Sequence, residues 1–203
     1  MTVANSIPVL RGAAVTLRPH TMSDVDAVYE RCVDPVTRQF TTIPLEYTPA
    51  MAAQYVSGLL EASADAISWA IDVDGRYAGT IDLRTLPVDA GAGSLGFVTH
   101  PAFRGRGVMS EAVRLVVEHT FDTLGWQLLR WQAHAYNWGS AKAVWRNGFP
   151  VPSFVPHLLV ERGRAIDAWM STLGRDDPRE PVAPWADVAA ALAACRSTGG
   201  SAG

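Results

Sequence analysis

The sequence predicts an α+β protein within the broad α/β class, built on a mixed, mostly antiparallel sheet of about seven strands flanked by about four helices. Three observations carry that reading. Ile67 to Asp72 and Tyr77 to Leu86 are strand patterns joined by Val73-Asp74-Gly75-Arg76. An Asp-Gly pair at that spacing is a strong hairpin signal, because both turn residues must take up positive φ. A third strand, Ser94 to Thr99, follows a turn over Pro87 to Gly93 and completes an antiparallel meander. A basic, glycine-containing turn then enters a long helical pattern reaching about Leu124, and a further strand, Leu128 to Tyr136, follows. That strand returns beside the third through a helical crossover, so the two run parallel.

The remaining elements follow in order. Ala14 to Arg18 alternates as a short strand closed by Pro19. Thr21 to Asp34 reads as a helix, with Ser23 as N-cap, Asp24 and Asp26 at its positive end, and Val25, Val28, Tyr29 and Cys32 on an apolar face. Asp34-Pro35 stops it, and Val36 to Tyr47 is irregular. Thr48-Pro49 opens a second helix to about Ala64, with proline in the first turn where its missing N–H is harmless. In the crossover helix Val113, Val116, Val117, Thr120, Phe121 and Leu124 form one stripe, ended by Gly125. Asn137 caps a short helix through Arg146, which Asn147-Gly148 terminates, and Phe149 to Val160 and Ala165 to Leu173 are the closing strands. Past Gly174 the composition shifts to a charged, proline-rich linker, Arg175 to Pro184, then an Ala-rich helix, Ala186 to Cys195. Ser197 to Gly203 is expected to be disordered. The expected organisation is one domain over residues 1–174 with an appended segment over 175–203.

Composition bounds the partners. A chain of 203 residues that is 48% hydrophobic and 18% charged is an ordinary globular protein with room for a sizeable core. A net charge of −3 gives no footing for direct nucleic-acid binding. No apolar run approaches the roughly 20 residues that span a bilayer, and Met1 to Leu10 lacks the pattern of a signal peptide. Cys32 and Cys195 lie too far apart in the sequence to suggest a metal cluster or a disulfide framework. The expectation is a cytoplasmic protein with no metal and no membrane partner. The Trp185 to Cys195 segment packs on its own domain or on a neighbour, which leaves monomer and homodimer both open.

The chemistry concentrates in His100-Pro101-Ala102-Phe103-Arg104-Gly105-Arg106-Gly107-Val108-Met109-Ser110-Glu111-Ala112. A strand, a short glycine turn and a helix start aim several backbone N–H groups and the positive end of a helix dipole at one point, which is a seat for an anion such as a phosphate. Glycines permit close backbone approach, and Arg104 and Arg106 add charge. The turn is not Gly-x-x-x-x-Gly-Lys-Ser/Thr, and no acidic pattern for magnesium follows, so a different fold with a nucleotide phosphate turn is a weak reading.

The order of Val15-Thr16-Leu17-Arg18-Pro19, the turn Arg104-Gly105-Arg106-Gly107-Val108-Met109 with Glu111-Ala112, Asn137-Trp138-Gly139-Ser140, Gly148-Phe149 and Asp167 resembles the GNAT family of acyl-CoA N-acyltransferases. Within that family it is most similar to the RimJ/RimL branch of ribosomal-protein N-terminal acetyltransferases, over about Ala14 to Leu173. The resemblance implies a GNAT fold whose sheet splays between the fourth and fifth strands, after Val98. It implies that Phe97, Val98 and Thr99 pair with the pantetheine arm of acetyl-CoA, and that Arg104, Gly105, Arg106, Gly107, Val108 and Met109 hold its pyrophosphate. A free backbone N–H at the splay would polarise the thioester carbonyl, which an acceptor amine attacks directly. The amine is that of a protein N-terminus or of a small molecule.

Under that resemblance Asn137 contacts the pantetheine amide, and Ser140 lies near the thioester sulfur as a proton donor. Asn137 and Ser140 also make sense as a local cap. Many family members carry a tyrosine where this chain has Val144, and relatives in the branch often carry a glutamate where it has Ser94. The substitutes for the base are His100, whose reference pKa of about 6.5 suits proton transfer, Asp82 and His134, or a water chain with no dedicated base, and water is likewise the alternative to Ser140 as donor. Lys142 and Arg146 either reach the ribose phosphate of CoA or form a solvated face. The acceptor is expected between the N-terminal helices and the last two strands, lined by Phe40, Thr41, Tyr47, Trp69, Phe154 and His157. The missing tyrosine and glutamate keep a second reading in view, a GNAT-fold module that binds acyl-CoA without turnover.

Overall fold

The Gly12 N–H bonds Val15 O at 2.8 Å and closes a tight turn between β1 (Leu10–Arg11) and β2 (Thr16–Arg18). In the computed structural model these are the first two of eight strands in a single sheet. The structure describes residues 6–61, 63, 65–86 and 91–195. β1 adds to the expected seven strands, and two residues are too few to show a period.

Thr21, not Ser23, begins the first helical segment. Asp24 Oδ2 accepts the Thr21 N–H at 2.9 Å, the Ser23 hydroxyl meets that of Thr21, and Arg18 grips both Asp24 oxygens at 2.8 and 2.9 Å. A 3-10 turn over Met22–Asp24 leads into α1 (Val25–Val33). Asp34 then accepts the Thr37 N–H at 2.8 Å and caps α2 (Pro35–Gln39), a short helix within the stretch expected to be irregular. Thr48 Oγ1 caps α3 (Pro49–Ser57), which stops at Gly58, well short of residue 64.

Asp74 and Gly75, at φ 52° and 77°, turn the hairpin between β3 (Ala66–Val73) and β4 (Arg76–Thr85), and β5 (Ala92–Thr99) completes the meander. α4 (Val108–Glu118) runs on through a π-helical turn, His119–Thr123, and ends at Gly125 with φ 70°. It delivers β6 (Leu128–His134) parallel to β5, as the crossover requires. β6 ends two residues earlier than its pattern suggests, because Tyr136 takes up a left-handed φ of 69°. α5 (Trp138–Trp145), β7 (Ser153–Glu161), β8 (Arg164–Gly174) and α6 (Trp185–Ala194) follow. The strand order is β1-β2-β3-β4-β5-β6-β8-β7, with β8 inserted against β6.

Alternation along β3 sorts the core into two layers. Ile67, Trp69 and Ile71 share one cluster with Val113, Val116 and Val117 of α4, while Ala70 joins Tyr77 against Val28 and Cys32 of α1 and Ala52 and Val56 of α3. Helices thus cover both faces, which is why β3 is buried continuously from Ile67 to Ile71 and β4 from Tyr77 to Ile81. Residues 175–184, expected as a linker, lie against the domain. Arg179 grips Asp122 through two contacts of 2.7 Å, and Trp145 Nε1 donates to Ala183 O at 2.9 Å. Val188 and Leu192 of α6 are buried in the same core as α4. The expected disordered tail lies outside the described residues.

Gly148 sits where that returning segment crosses. It has φ 85°, and a Cβ there would lie 2.0 Å from Pro178 O. Gly148→Ala is expected to destabilise the protein by about 2–4 kcal/mol, combining left-handed strain with overpacking against backbone. Thermal unfolding checks this, and an unchanged midpoint would mean that the segment does not pack there.

Candidate active site

β5 and β6 pair only from Ala92↔Leu128 to Leu95↔Trp131. Beyond Leu95 the strands part, because β5 stays with β4 through Thr99 while β6 stays with β8 through His134. The splay therefore opens after Leu95, three residues earlier than the expected Val98. The His100 N–H bonds Ala78 O, so antiparallel alternation turns the backbone groups of Phe97 and Thr99 away from β4 and into the wedge.

A cavity of about 570 Å³ runs from the wedge to the start of α4. Phe97, Val98, Thr99, Arg104, Gly105, Gly107, Val108, Met109, Asn137 and Ser140 all line it. Gly105 and Gly107 adopt φ 75° and 79°, and a Cβ on either would meet nothing within 4 Å, so the floor of the turn is open. Gly107 is the N-cap of α4 and supplies no side-chain bond to the first turn. The N–H groups of the first turn therefore keep their donors for a ligand, with the helix dipole behind them. Lys142 and Arg146 stand on the same cavity wall, with Arg146 Nη1 3.3 Å from Ser110 Oγ. This cradle fits a pyrophosphate with a second phosphate at its rim.

Both arginines of the turn have contacts on the chain itself. Arg104 Nη2 is tied to Asp34 Oδ2 at 2.5 Å and to Thr37 Oγ1 at 2.8 Å, so it anchors α2 to the turn. Burial opposes ionisation of Asp34, but the guanidinium and the Thr37 N–H outweigh it and hold the carboxyl below its usual range. Arg106 is not among the cavity-lining residues and lies over the Phe103 ring, 5.6 Å from its centroid.

A second cavity of about 660 Å³ meets the first at the wedge, sharing Phe40, Thr41, Phe97, Val98, Asn137 and Ser140 as walls. Phe40, Thr41 and Tyr47 line it as expected. Trp69 does not, being fully buried with its Nε1 on Pro8 O, and Phe154 and His157 stand apart from both cavities. Asp82 does line it. Its register partner is the bare Gly96, at the mouth of the splay, where a Cβ would be 3.8 Å from Asp82 Oδ2. Ser68 Oγ donates to Asp82 Oδ1 at 2.6 Å and Arg84 Nη2 to Oδ2 at 2.8 Å. Burial nonetheless pushes this carboxyl above its usual range.

His100 lies outside both cavities. Its Nδ1 accepts the Ala102 N–H at 3.3 Å as the cap of a 3-10 turn, and Nε2 faces Glu30 Oε2 at 3.4 Å. Burial lowers its pKa against the pull of Glu30. These contacts make the imidazole a fastener of the turn. His134 lines the second cavity but pairs with Glu161 at 2.9 Å.

Asn137 Oδ1 accepts the Ser140 N–H at 3.2 Å, which is the expected cap. Ser140 Oγ accepts the Trp131 Nε1–H at 3.1 Å, so its own O–H is left to donate. Val144 is fully buried and lines neither cavity. Sequence reasoning missed Thr37, Tyr136 and Trp138, which also line the first cavity. The left-handed φ of Tyr136, beside the Asn137 cap, is the strain often stored at such sites. Among the described residues no group of three or more His, Cys, Asp or Glu is placed to hold a metal, and no helix is long and apolar enough to cross a membrane.

Two cavities thus meet in a split sheet, one of them floored by the glycine turn and the start of α4. The sequence profile of the acetyltransferase (GNAT) domain matches residues 14–150, and the chain belongs to this family of acetyltransferases. The fold is shared with solved structures of low identity. A GNAT-family acetyltransferase from Bacillus anthracis superposes with a TM-score of 0.75 at 14% identity, over 84% of this chain and 100% of the other. A GCN5-related N-acetyltransferase from Brucella melitensis gives 0.72 at 21%, over 93% and 85%. RimL, a ribosomal-protein α-N-acetyltransferase solved in complex with coenzyme A, gives 0.71 at 18%, over 82% and 98%. Among curated proteins no sequence match is found.

The family uses acetyl-CoA, and the cradle is suited to its pyrophosphate. Wild-type protein at CoA concentrations 100-fold above the dissociation constant should gain about 2.7 kcal/mol of stability. Gly107→Glu places bulk and negative charge in the open turn at φ 79°. It is expected to fold with a baseline loss of about 1–2 kcal/mol and to show no stabilisation by CoA. Full stabilisation of the variant would contradict this location of the anion seat.

Proposed function

We propose that this chain is an N-acetyltransferase that moves an acetyl group from acetyl-CoA to a primary amine, of a protein N-terminus or a small molecule, in the cytoplasm. The observation that carries this reading is the meeting of the two cavities at the wedge, with Phe97, Val98, Asn137 and Ser140 common to both. On this reading residues 1–174 form the catalytic domain, with residues 175–203 appended.

When bound, acetyl-CoA supplies an activated acetyl thioester. The first turn of α4 and the glycines Gly105 and Gly107 bind its pyrophosphate, and Lys142 and Arg146 reach its ribose phosphate. The N–H groups of Phe97 and Thr99, turned into the wedge, are the donors for the developing oxyanion. Ser140 Oγ, oriented by the Trp131 indole, holds the proton that goes to the departing sulfur. With Val144 buried away from both cavities, that role falls to Ser140.

Asp82 takes the place of His100 as proton acceptor. It borders the acceptor cavity beside the opening of the wedge, and its raised pKa makes it a stronger base than a solvent-exposed carboxylate. Such a base acts when ionised, so kcat/KM should climb as pH rises through the Asp82 pKa, which lies above the ordinary carboxylate value of about 3.9.

An amine screen that follows release of the CoA thiol tests the activity, and it should find at least one amine whose acetylation is saturable. With that amine, Asp82→Asn should lower kcat by roughly 10²- to 10⁴-fold and remove the rising limb of the pH profile, leaving CoA binding intact. Binding of acetyl-CoA without thiol release across the panel would favour a non-catalytic acyl-CoA sensor.

A further inference from the structure

α1 carries a cation to the wall of the acceptor cavity, and among the described residues no acid forms a hydrogen bond or ion pair with it. Arg31 is 2% exposed and borders that cavity with Cys32, Tyr55 and Thr80. Nη1 donates to Thr80 Oγ1 at 3.0 Å, and Nη2 points at Cys32 Sγ at 3.6 Å. Nε has no partner. A guanidinium has five N–H donors, so most of its capacity is unused among the described residues. The rings of Tyr55 and Tyr77 lie 5.7 and 6.0 Å from its central carbon and soften the burial, but a π-face is not a counter-charge.

Buried charges are ordinarily paired, because desolvation without a partner is costly. Here no acidic partner bonds the guanidinium among the described residues. Asp82 is the one acidic residue among the cavity's walls, and Ser68 and Arg84 already hold it. His134, also on the wall, has Glu161. The cavity therefore presents one arginine that is compensated and one that is not. A carboxylate is the group a guanidinium accepts best, through paired N–H bonds.

The geometry limits the rest of the ligand. Thr80 and Asp82 are two apart on β4 and share one face, a spacing of about 6.6 Å along the strand. A carboxylate at Arg31 and an amine at Asp82 thus lie within one short carbon skeleton. The loop between α2 and α3 lines this space and is held by Arg162 Nη2, which donates to the carbonyls of Arg38 in α2 and of Thr41 and Ile43 in the loop at 3.3, 3.1 and 2.7 Å. A tied loop favours a small ligand over an extended chain.

We propose that Arg31 receives the carboxylate of the acceptor, and that the acceptor is a small amino acid whose amine is directed toward Asp82. This rests on the transferase reading and on the second cavity as its acceptor site.

The test uses full-length protein and matched acceptors that differ only in charge: free amino acids of increasing amine-to-carboxylate length, their carboxamides, and C-terminally amidated peptides. Thiol release gives turnover, and calorimetry in the presence of CoA gives binding independently of turnover. At least one amino acid should exceed its carboxamide by roughly 10- to 100-fold in kcat/KM. Arg31→Gln should bring that ratio near one while CoA still stabilises the protein, and Arg31→Lys should restore part of it. If the variants fail to fold, the wild-type comparison decides alone. Equal use of amino acids and carboxamides, or preference for the amidated peptides, would overturn the subsite and leave the transferase standing. Arg31-dependent binding of amino acids without thiol release would do the reverse. Failure of every free amino acid to bind would overturn the subsite.

Discussion

The parting of β5 from β6 after Leu95 and Trp131 is the constraint on which the site depends. A sheet normally satisfies its backbone donors within itself. Here β5 keeps β4 and β6 keeps β8, and neither can keep the other. The strand edges left in the wedge are a polar surface between two apolar layers. They face a cavity on either side, and both cavities contain Phe97 and Val98. Without the wedge the donor cradle and the acceptor space would be separate pockets.

The elements around the wedge hold its two sides at a set distance. On the donor side, α4 begins at an uncapped glycine, which leaves its first-turn donors outward, while its other end is locked in the core by Val113, Val116 and Phe121. Arg104, bound to Asp34 and Thr37, fastens the anion turn to α2, and α2 in turn contributes Val36 and Thr37 to the same cavity. Asn137 and Ser140 complete the far wall from α5, whose position is fixed by the Asn147 amide on Ser110 O of α4 at 3.0 Å. Rigid scaffolding around a short irregular opening is the usual arrangement for a binding site.

Local chemistry made much of this legible in the sequence. Asp74-Gly75 needs no partner to announce a hairpin, the stripe on α4 is a property of its own residues, and Asn137 caps the Ser140 N–H within a single turn. The glycine turn was likewise readable as an anion seat, because φ and a helix start are local. What could not be read were roles set across long separations. Arg104 lines the cavity as expected, but its guanidinium is held by Asp34, 70 residues away, a pairing that no local pattern announces. His100 looked like a base, and its neighbours Ala102 and Glu30 made it a fastener. Arg31 had no signal at all, since one arginine on an amphipathic helix reads as a solvated face. Its burial is decided by Thr80, Tyr55 and Tyr77 from other elements. Asp82 is readable as a candidate base, but its place at the wedge comes from the absence of a side chain at Gly96, a cross-strand fact.

The central claim is that CoA occupies the wedge and draws on backbone donors from both its edge and the first turn of α4. Residue-resolved amide hydrogen exchange, with and without saturating CoA, tests it most directly. Protection should rise at Phe97 and Thr99 and at Val108, Met109 and Ser110, while amides of the β3–β4 hairpin stay as they are. Protection by CoA that leaves those five amides unchanged and appears elsewhere would contradict the account.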